Sequence, residues 1–261
     1  MKNKICLLAA LLFVTTTSFS ATPKTLRSIN NSAFKPGEVL KFRIHYGIMD
    51  AGEATLEVKS DFTNLGGRDC YHFIGTGKSV GAFDWFFKVR DRYESIVDKD
   101  AIIPWLFIRR VNEGGYLINQ NVSFNHFVDS AKSEKATISI PENTQDLVSS
   151  FYYARTIDFT NAKEGDIFEI TGYLDDKVIP LNLKFLGREI IECKVGKFRC
   201  MKMRPMLQQG RVFKDQEDMT IWISDDQNKI PIRVQTDILV GSIKMDLVSY
   251  TNLASTPALV K

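Results

Sequence analysis

Lys35-Pro-Gly-Glu-Val-Leu-Lys-Phe-Arg-Ile-His-Tyr46 is the stretch that decides the fold. From Leu40 onward Leu40, Phe42, Ile44 and Tyr46 point one way while Lys41, Arg43 and His45 point the other, the period-two pattern of a half-buried strand. After a turn over Gly47 to Gly52, Ala54, Leu56 and Val58 continue the pattern as the second arm of a hairpin. Similar runs follow at roughly 68–77, 88–98, 104–113, 115–128, 134–140, 166–173, 178–193, 197–206, 217–224, 230–238 and 242–251. Gly66-Gly67, Gly114-Gly115, Asp175-Asp176, Gly196-Lys197, Asp225 to Asn228 and Gly241 separate them. Connections this short suit antiparallel meanders, because a parallel pair needs a crossover of about a dozen residues or more.

The same opening phrase returns. Lys35-Pro-Gly-Glu-Val-Leu matches Lys163-Glu-Gly-Asp-Ile-Phe, Cys70 matches Cys200, Phe87-Lys88 matches Phe213-Lys214, Asp98 to Pro104 matches Asp225 to Pro231, and Gly115 matches Gly241, all at an offset of 126 to 130. The expectation is a mainly β fold of two similar curved antiparallel sheets, a half-barrel or clam-like internal repeat, covering residues 35–130 and 163–252. A linker at 131–162 joins them and carries one helix at about 144–156, where Leu147, Val148, Phe151 and Tyr152 fall at helical spacing behind Asn143 or Thr144 as cap. A shorter helical turn is expected at Ala82 to Lys88, a flexible arm at 21–34 and a short tail at 253–261.

The first twenty residues read as a secretory signal: basic Lys2 and Lys4, an apolar run from Ile5 to Val14, and small residues at Ser18 and Ser20, predicting cleavage after Ser20 and a periplasmic protein. The apolar run is about half of the roughly 20 residues that span a bilayer, so no integral membrane anchor is expected. Loss of the two lysines lowers the formal charge from +3 to +1, a balance that recruits neither nucleic acid nor an anionic membrane.

Chemistry-bearing motifs are sparse. Gly75-Thr-Gly-Lys-Ser79 resembles the end of a phosphate loop, but His72 stands where the leading glycine belongs, so no ATP site is expected and the segment reads as a glycine-rich turn. His45, His72 and His126 lie in separate strands without metal-ligand spacing, and neither a metal nor any other cofactor is expected. Asp175-Asp176 and Asp225-Asp226 read as turns, no serine nucleophile signature is present, and no catalytic residue is assigned. In Cys193-Lys-Val-Gly-Lys-Phe-Arg-Cys200, a turn at Gly196-Lys197 would set the two cysteines opposite each other; a disulfide and two half-buried thiols both remain open, with Cys70 left over. Aromatics are plentiful. Trp85, Phe86, Trp105, Phe107, Phe151, Tyr152 and Trp222 are either ordinary core or the lining of a groove for an apolar ligand, with Arg90, Arg92 and Arg109 as candidates for its rim.

Gly37-Glu38 with Phe42 to Gly47, Val89-Arg-Asp-Arg-Tyr-Glu-Ser95, Asp98 to Pro104, Leu147 to Arg155 and Trp222-Ile-Ser-Asp-Asp226 through Pro231 together resemble the exported domain-of-unknown-function family 3108 of Gram-negative envelopes. That resemblance implies no activity and no catalytic residues. The hairpin Trp222-Ile-Ser-Asp-Asp226 to Ile230-Pro-Ile-Arg233 is also similar to the last hairpins of periplasmic lipoprotein carriers and sigma-regulatory lipid sensors, which implies an open half-barrel that holds acyl chains. The leading expectation is therefore non-catalytic binding of a hydrophobic or amphipathic envelope molecule, or of an envelope protein partner. A structural module of envelope assembly is the alternative, and a hydrolase of envelope glycan or lipid the third.

Overall fold

The structure, a computed structural model, describes residues 24–206, 219–238 and 241–260. The signal segment and the Phe213-Lys214 partner in the repeat lie outside the described residues.

Gly37, at φ +84°, turns the chain into β1 (Val39–Tyr46); its N–H donates to the Val58 carbonyl (2.9 Å), and Val58 N–H returns to that of Glu38 (2.9 Å). A left-handed conformation there suits glycine and strains other residues. The chain then runs through β2 (Met49–Val58), β3 (Thr63–Leu65), β4 (Arg68–Ser79), the short α1 (Gly81–Phe86), β5 (Arg90–Asp98), β6 (Pro104–Glu113) and β7 (Tyr116–Asn125). These pair antiparallel in the order β1-β2-β4-β5-β6-β7, with β3 beside β4. Val58, Phe73, Ser95, Phe107 and Val122 stand opposite one another from strand to strand, so they share one face, and all five are buried.

Beyond β7 the strands β8 (Ser130–Lys132) and β9 (Thr137–Ser139) extend the sheet, and α2 (Leu147–Ala154) folds back over the buried row. The helix starts later than the spacing predicted. Its cap is Asp146, whose carboxylate accepts from the Val148 and Ser149 N–H groups while the Ser149 hydroxyl accepts from Asp146 N–H. Thr144 is used otherwise, donating to the Pro141 carbonyl (2.7 Å). Tyr152 stacks on Phe73 with ring centres 3.7 Å apart, and Phe34 meets both rings edge-on.

The second half comprises β10 (Ile167–Phe168), a two-stranded side hairpin of β11 (Thr171–Leu174) and β12 (Lys177–Pro180), then β13 (Asn182–Cys193), β14 (Gly196–Met206), β15 (Met219–Ser224), β16 (Pro231–Asp237) and β17 (Ser242–Thr251). A last strand, β18 (Leu259–Val260), pairs with β14. The order β10-β13-β14-β15-β16-β17 repeats the first six-strand order, and individual bonds repeat with it. Gly165 (φ +97°) donates to Phe185 and Phe185 to Asp166, as Gly37 and Val58 do. Ser224 N–H to Ile230 (2.8 Å) matches Asp98 N–H to Ile103 (2.8 Å), with Lys229 and Ile102 both left-handed in the turns they close. The expected mainly antiparallel β fold is thus observed. The halves are not separate sheets, however: β1 pairs with β17 from Val39–Thr251 to Tyr46–Ile243, which joins them edge to edge into one open sheet bounded by β10 and β9, beside the small hairpin sheet.

One expectation is corrected. Residues 24–34 are not a flexible arm: Arg27 donates to the Ala101 (2.8 Å) and Ile102 (3.0 Å) carbonyls, Lys24 pairs with Asp129 (2.6 Å), and Ala33 and Phe34 are buried against the first-half core. Of the two readings left open for Cys193 and Cys200, the structure has the unbridged thiols. The turn residues are Lys194-Val195, two residues earlier than predicted, so Cys193 faces Gly196 while Cys200 faces Glu189 farther along the ladder; Cys70, Cys193 and Cys200 are all free thiols.

Candidate functional site

One flank of α2 is filled and the other is not. Toward the first half, Val148 and Tyr152 close against Phe73, Phe107 and Phe124. Toward the second half, Phe151 and Ala154 face Ile170, Leu183, Ile221 and Ile223 across a cavity of about 230 Å³. Two polar side chains reach this wall. Ser150 donates its hydroxyl to the Leu147 carbonyl (2.9 Å). Arg155 is fully committed elsewhere: it donates to both Glu38 carboxylate oxygens (2.5 and 2.8 Å), to the Asn228 carbonyl (2.9 Å) and to the Ala33 carbonyl (2.9 Å). Arg155 and Glu38 are both buried, so their pairing is what makes either charge tolerable there. What the cavity offers a ligand is hydrocarbon surface.

Of the seven aromatic candidates, Phe151 alone lines this cavity. Phe107 and Tyr152 belong to the filled core. Trp222 is buried in another cluster, with its indole N–H donating to Glu189 and Lys202 over its ring. Trp105 is half-buried and donates to Asp98 (3.1 Å), while Trp85 and Phe86 are exposed on α1. The residues the sequence reading missed are the aliphatic ones. Ile221 and Ile223 flank the chosen Trp222 and, by strand alternation, point to its opposite face, which is the only signal that could have found them.

The arginine candidates divide as well. Arg109 is buried, held by Asp175 (2.6 Å) and Gln120 (3.2 Å), and is no rim residue. Arg90 pairs with Asp84 (2.6 Å) and Arg92 with Glu94 (2.7 Å) along a separate polar groove of about 550 Å³ that also includes Lys41, Lys78 and Arg110.

Titratable groups do not converge on the cavity. Asp146 has its carboxyl pushed up to about 6 by burial, against the opposing hydrogen bonds from Ser95 (2.5 Å), Ser149 and Val148. Burial likewise pushes the Cys70 and Cys200 thiols up to about 12 and lowers His126, whose Nε2 lies 2.8 Å from the Pro104 carbonyl. Gly75 to Ser79 is neither a phosphate loop nor a turn; it is the end of β4, paired with β2 on one side and, through Lys78, with β5 on the other. Asp175 and Asp176 occupy left-handed turn positions, and Asp226 accepts from the Asn228 and Lys229 N–H groups. No group of His, Cys, Asp and Glu among the described residues could hold a metal ion, and none of their helices is long and apolar enough to cross a membrane.

A family model described as "Protein of unknown function (DUF3108)" matches residues 41–248. No curated protein matches. Among solved structures, a β-barrel-like protein of domain of unknown function DUF1849 from Brucella abortus is similar at TM-score 0.53 and 10% identity, over 88% of this chain and 99% of that one. The hypothetical protein CT021 from Chlamydia trachomatis is similar at TM-score 0.39 and 10% identity, over 87% and 93%. The first likeness shows a shared fold; the second is too distant to argue from.

Proposed function

Since the chain belongs to the DUF3108 family of proteins of unknown function, we propose from its own geometry that it is an exported, non-catalytic carrier of an amphipathic envelope molecule, holding one aliphatic chain between α2 and the second half-sheet. The observation that carries this reading is the carbon-lined cavity of about 230 Å³ beside Phe151, Ala154, Leu183 and Ile223. It falls just under the roughly 300–1,000 Å³ of typical ligand pockets, which suits a single chain and excludes a whole lipid. The polar atoms at its wall are already bonded, so a chain gains burial there and a headgroup would remain outside. Binding is favoured over hydrolysis because the nearby ionisable pair, Arg155 and Glu38, is sequestered as a salt bridge. Titrating the purified protein with decanoic acid by calorimetry, alongside an Ala154→Phe variant, tests the proposal. Saturable binding by the native protein, weakened about ten-fold or more when the new ring fills the cavity, is the expected result. No binding to the native protein, or equal binding to the variant, would sink it.

A further inference from the structure

The end of the sheet carrying the β1/β2 and β6/β7 turns presents an apolar fringe that the cavity does not explain. α1 contributes no buried residue to the fold, yet Trp85 is 81% and Phe86 76% exposed. Beside it, Ile48 in the β1/β2 turn is 94% exposed and Leu117 in the β6/β7 hairpin is 70% exposed. Backbone contacts hold these pieces together: Val80 N–H donates to the Ala51 carbonyl (3.0 Å), Gly114 N–H to that of Lys88 (2.9 Å), and the space over Gly114 is occupied by the Phe87 ring. Behind the fringe lies the polar groove across β1 to β6. Its Lys78, Arg90 and Arg92 are neutralised by Glu53, Asp84 and Glu94, and Asp91 also lines it, with its carboxylate accepting from Asn112 N–H. Lys41, Arg110 and the exposed Lys88 next to α1 have no carboxylate at salt-bridge distance among the described residues, although Glu134 lies in the field of Arg110, which donates to Asn121, and Asp84 in that of Lys88.

We infer that this end of the first half docks on a lipid bilayer surface bearing anionic headgroups, with Trp85, Phe86 and their apolar neighbours entering the interfacial layer and Lys41, Lys88 and Arg110 meeting the headgroups. A helix that gives nothing to its own core while exposing a Trp-Phe pair is costly in water and is matched by the bilayer interface, where aromatic rings and long basic side chains concentrate. The pull is local. It does not need a high net charge, because charges lying within a Debye length of the surface act individually. The inference stands apart from the cavity, and its readout does not require the cavity to hold anything.

The test is co-sedimentation of the purified full chain with vesicles of phosphatidylcholine alone or mixed with phosphatidylglycerol. The expected result is selective binding to the mixed vesicles, weakened by salt, with the Trp85 emission shifted to the blue. In a Trp85→Ser/Phe86→Ser variant the affinity falls about ten-fold or more, with the thermal midpoint unchanged because neither side chain packs in the core. Lys41→Ser/Lys88→Ser/Arg110→Ser removes the preference for phosphatidylglycerol. Absence of native binding, binding indifferent to phosphatidylglycerol, or wild-type affinity in the aromatic variant overturns the inference. Self-association through the fringe without vesicle binding, seen by ultracentrifugation, overturns it as well and assigns the fringe to a second copy.

Discussion

The two halves share a strand order and even individual backbone bonds, yet they use the central helix in opposite ways. The first half closes on it: Phe73 stacks against Tyr152, Phe34 seals their edge, and Ser95 bonds to the cap at Asp146. The second half leaves a gap along Ala154, Leu183 and Ile223. The same divergence appears at the equivalent acids Glu38 and Asp166. Glu38 is buried against Arg155, whereas Asp166 is exposed and merely accepts the Lys163 N–H (2.8 Å). A repeated backbone therefore supplies two scaffolds, and side-chain packing on one helix decides which becomes a wall of solid core and which a vacancy.

The sharpest way to break that contrast is at the two acids. Glu38→Ala should cost about 3–5 kcal/mol in denaturant unfolding, because it strands a buried guanidinium. Asp166→Ala should cost about 1 kcal/mol or less, the worth of one exposed hydrogen bond. Equal losses would mean that the buried pair does not distinguish the halves. Next in size is the pH response of the first half's grip on α2. The Asp146 carboxyl sits near 6 in the fold against an ordinary 3.8, so its charged form is the one the fold disfavours. The native protein should lose stability through this group as pH rises from about 4 through 6, and lose no more above that. Asp146→Asn, which keeps a capping oxygen, should gain on the native protein by on the order of 2 kcal/mol between pH 4 and 7. Carboxylates held low, such as Asp98 and Asp246, act in the opposite direction but equally in both proteins and cancel. A pH-independent difference would show that Asp146 is not desolvated by the helix. The smallest expected effect concerns the equivalent thiols Cys70 and Cys200, both buried. Among the three described cysteines, brief alkylation of the native protein should mark the half-buried Cys193 first by peptide mapping. Preferential labelling of Cys70 or Cys200 would identify a half that opens.

Much of this architecture is legible in the sequence. Period-two alternation marks the strands, and the nearly steady offset between Gly37 and Gly165, or Asp98 and Asp225, marks the duplication because turn residues are local requirements of the backbone. The candidate cavity was read far less well. Counting aromatics cannot tell Trp85, which faces solvent, from Tyr152, which is fully enclosed, since burial depends on partners more than fifty residues away in sequence. Ile221 and Ile223 turn toward the cavity, while Trp222 between them turns away. The packed segment at 24–34 and the Arg155–Glu38 pair were invisible for the same reason: neither has a local signature, and each exists through contacts that only the assembled sheet brings within reach. The cysteine hairpin was placed with its turn two residues too late, which is enough to move every partner along the ladder.

The seam between the halves is made of β1 and β17, where Leu40 lies opposite Tyr250. Synthesis proceeds from the N-terminus, so the first long strand must wait for one of the last before its outer edge is covered. Until then β1 offers a bare ladder to any passing strand. Its closure is a contact of very high sequence separation, which predicts slow completion of folding and an interval in which a chaperone has something to hold.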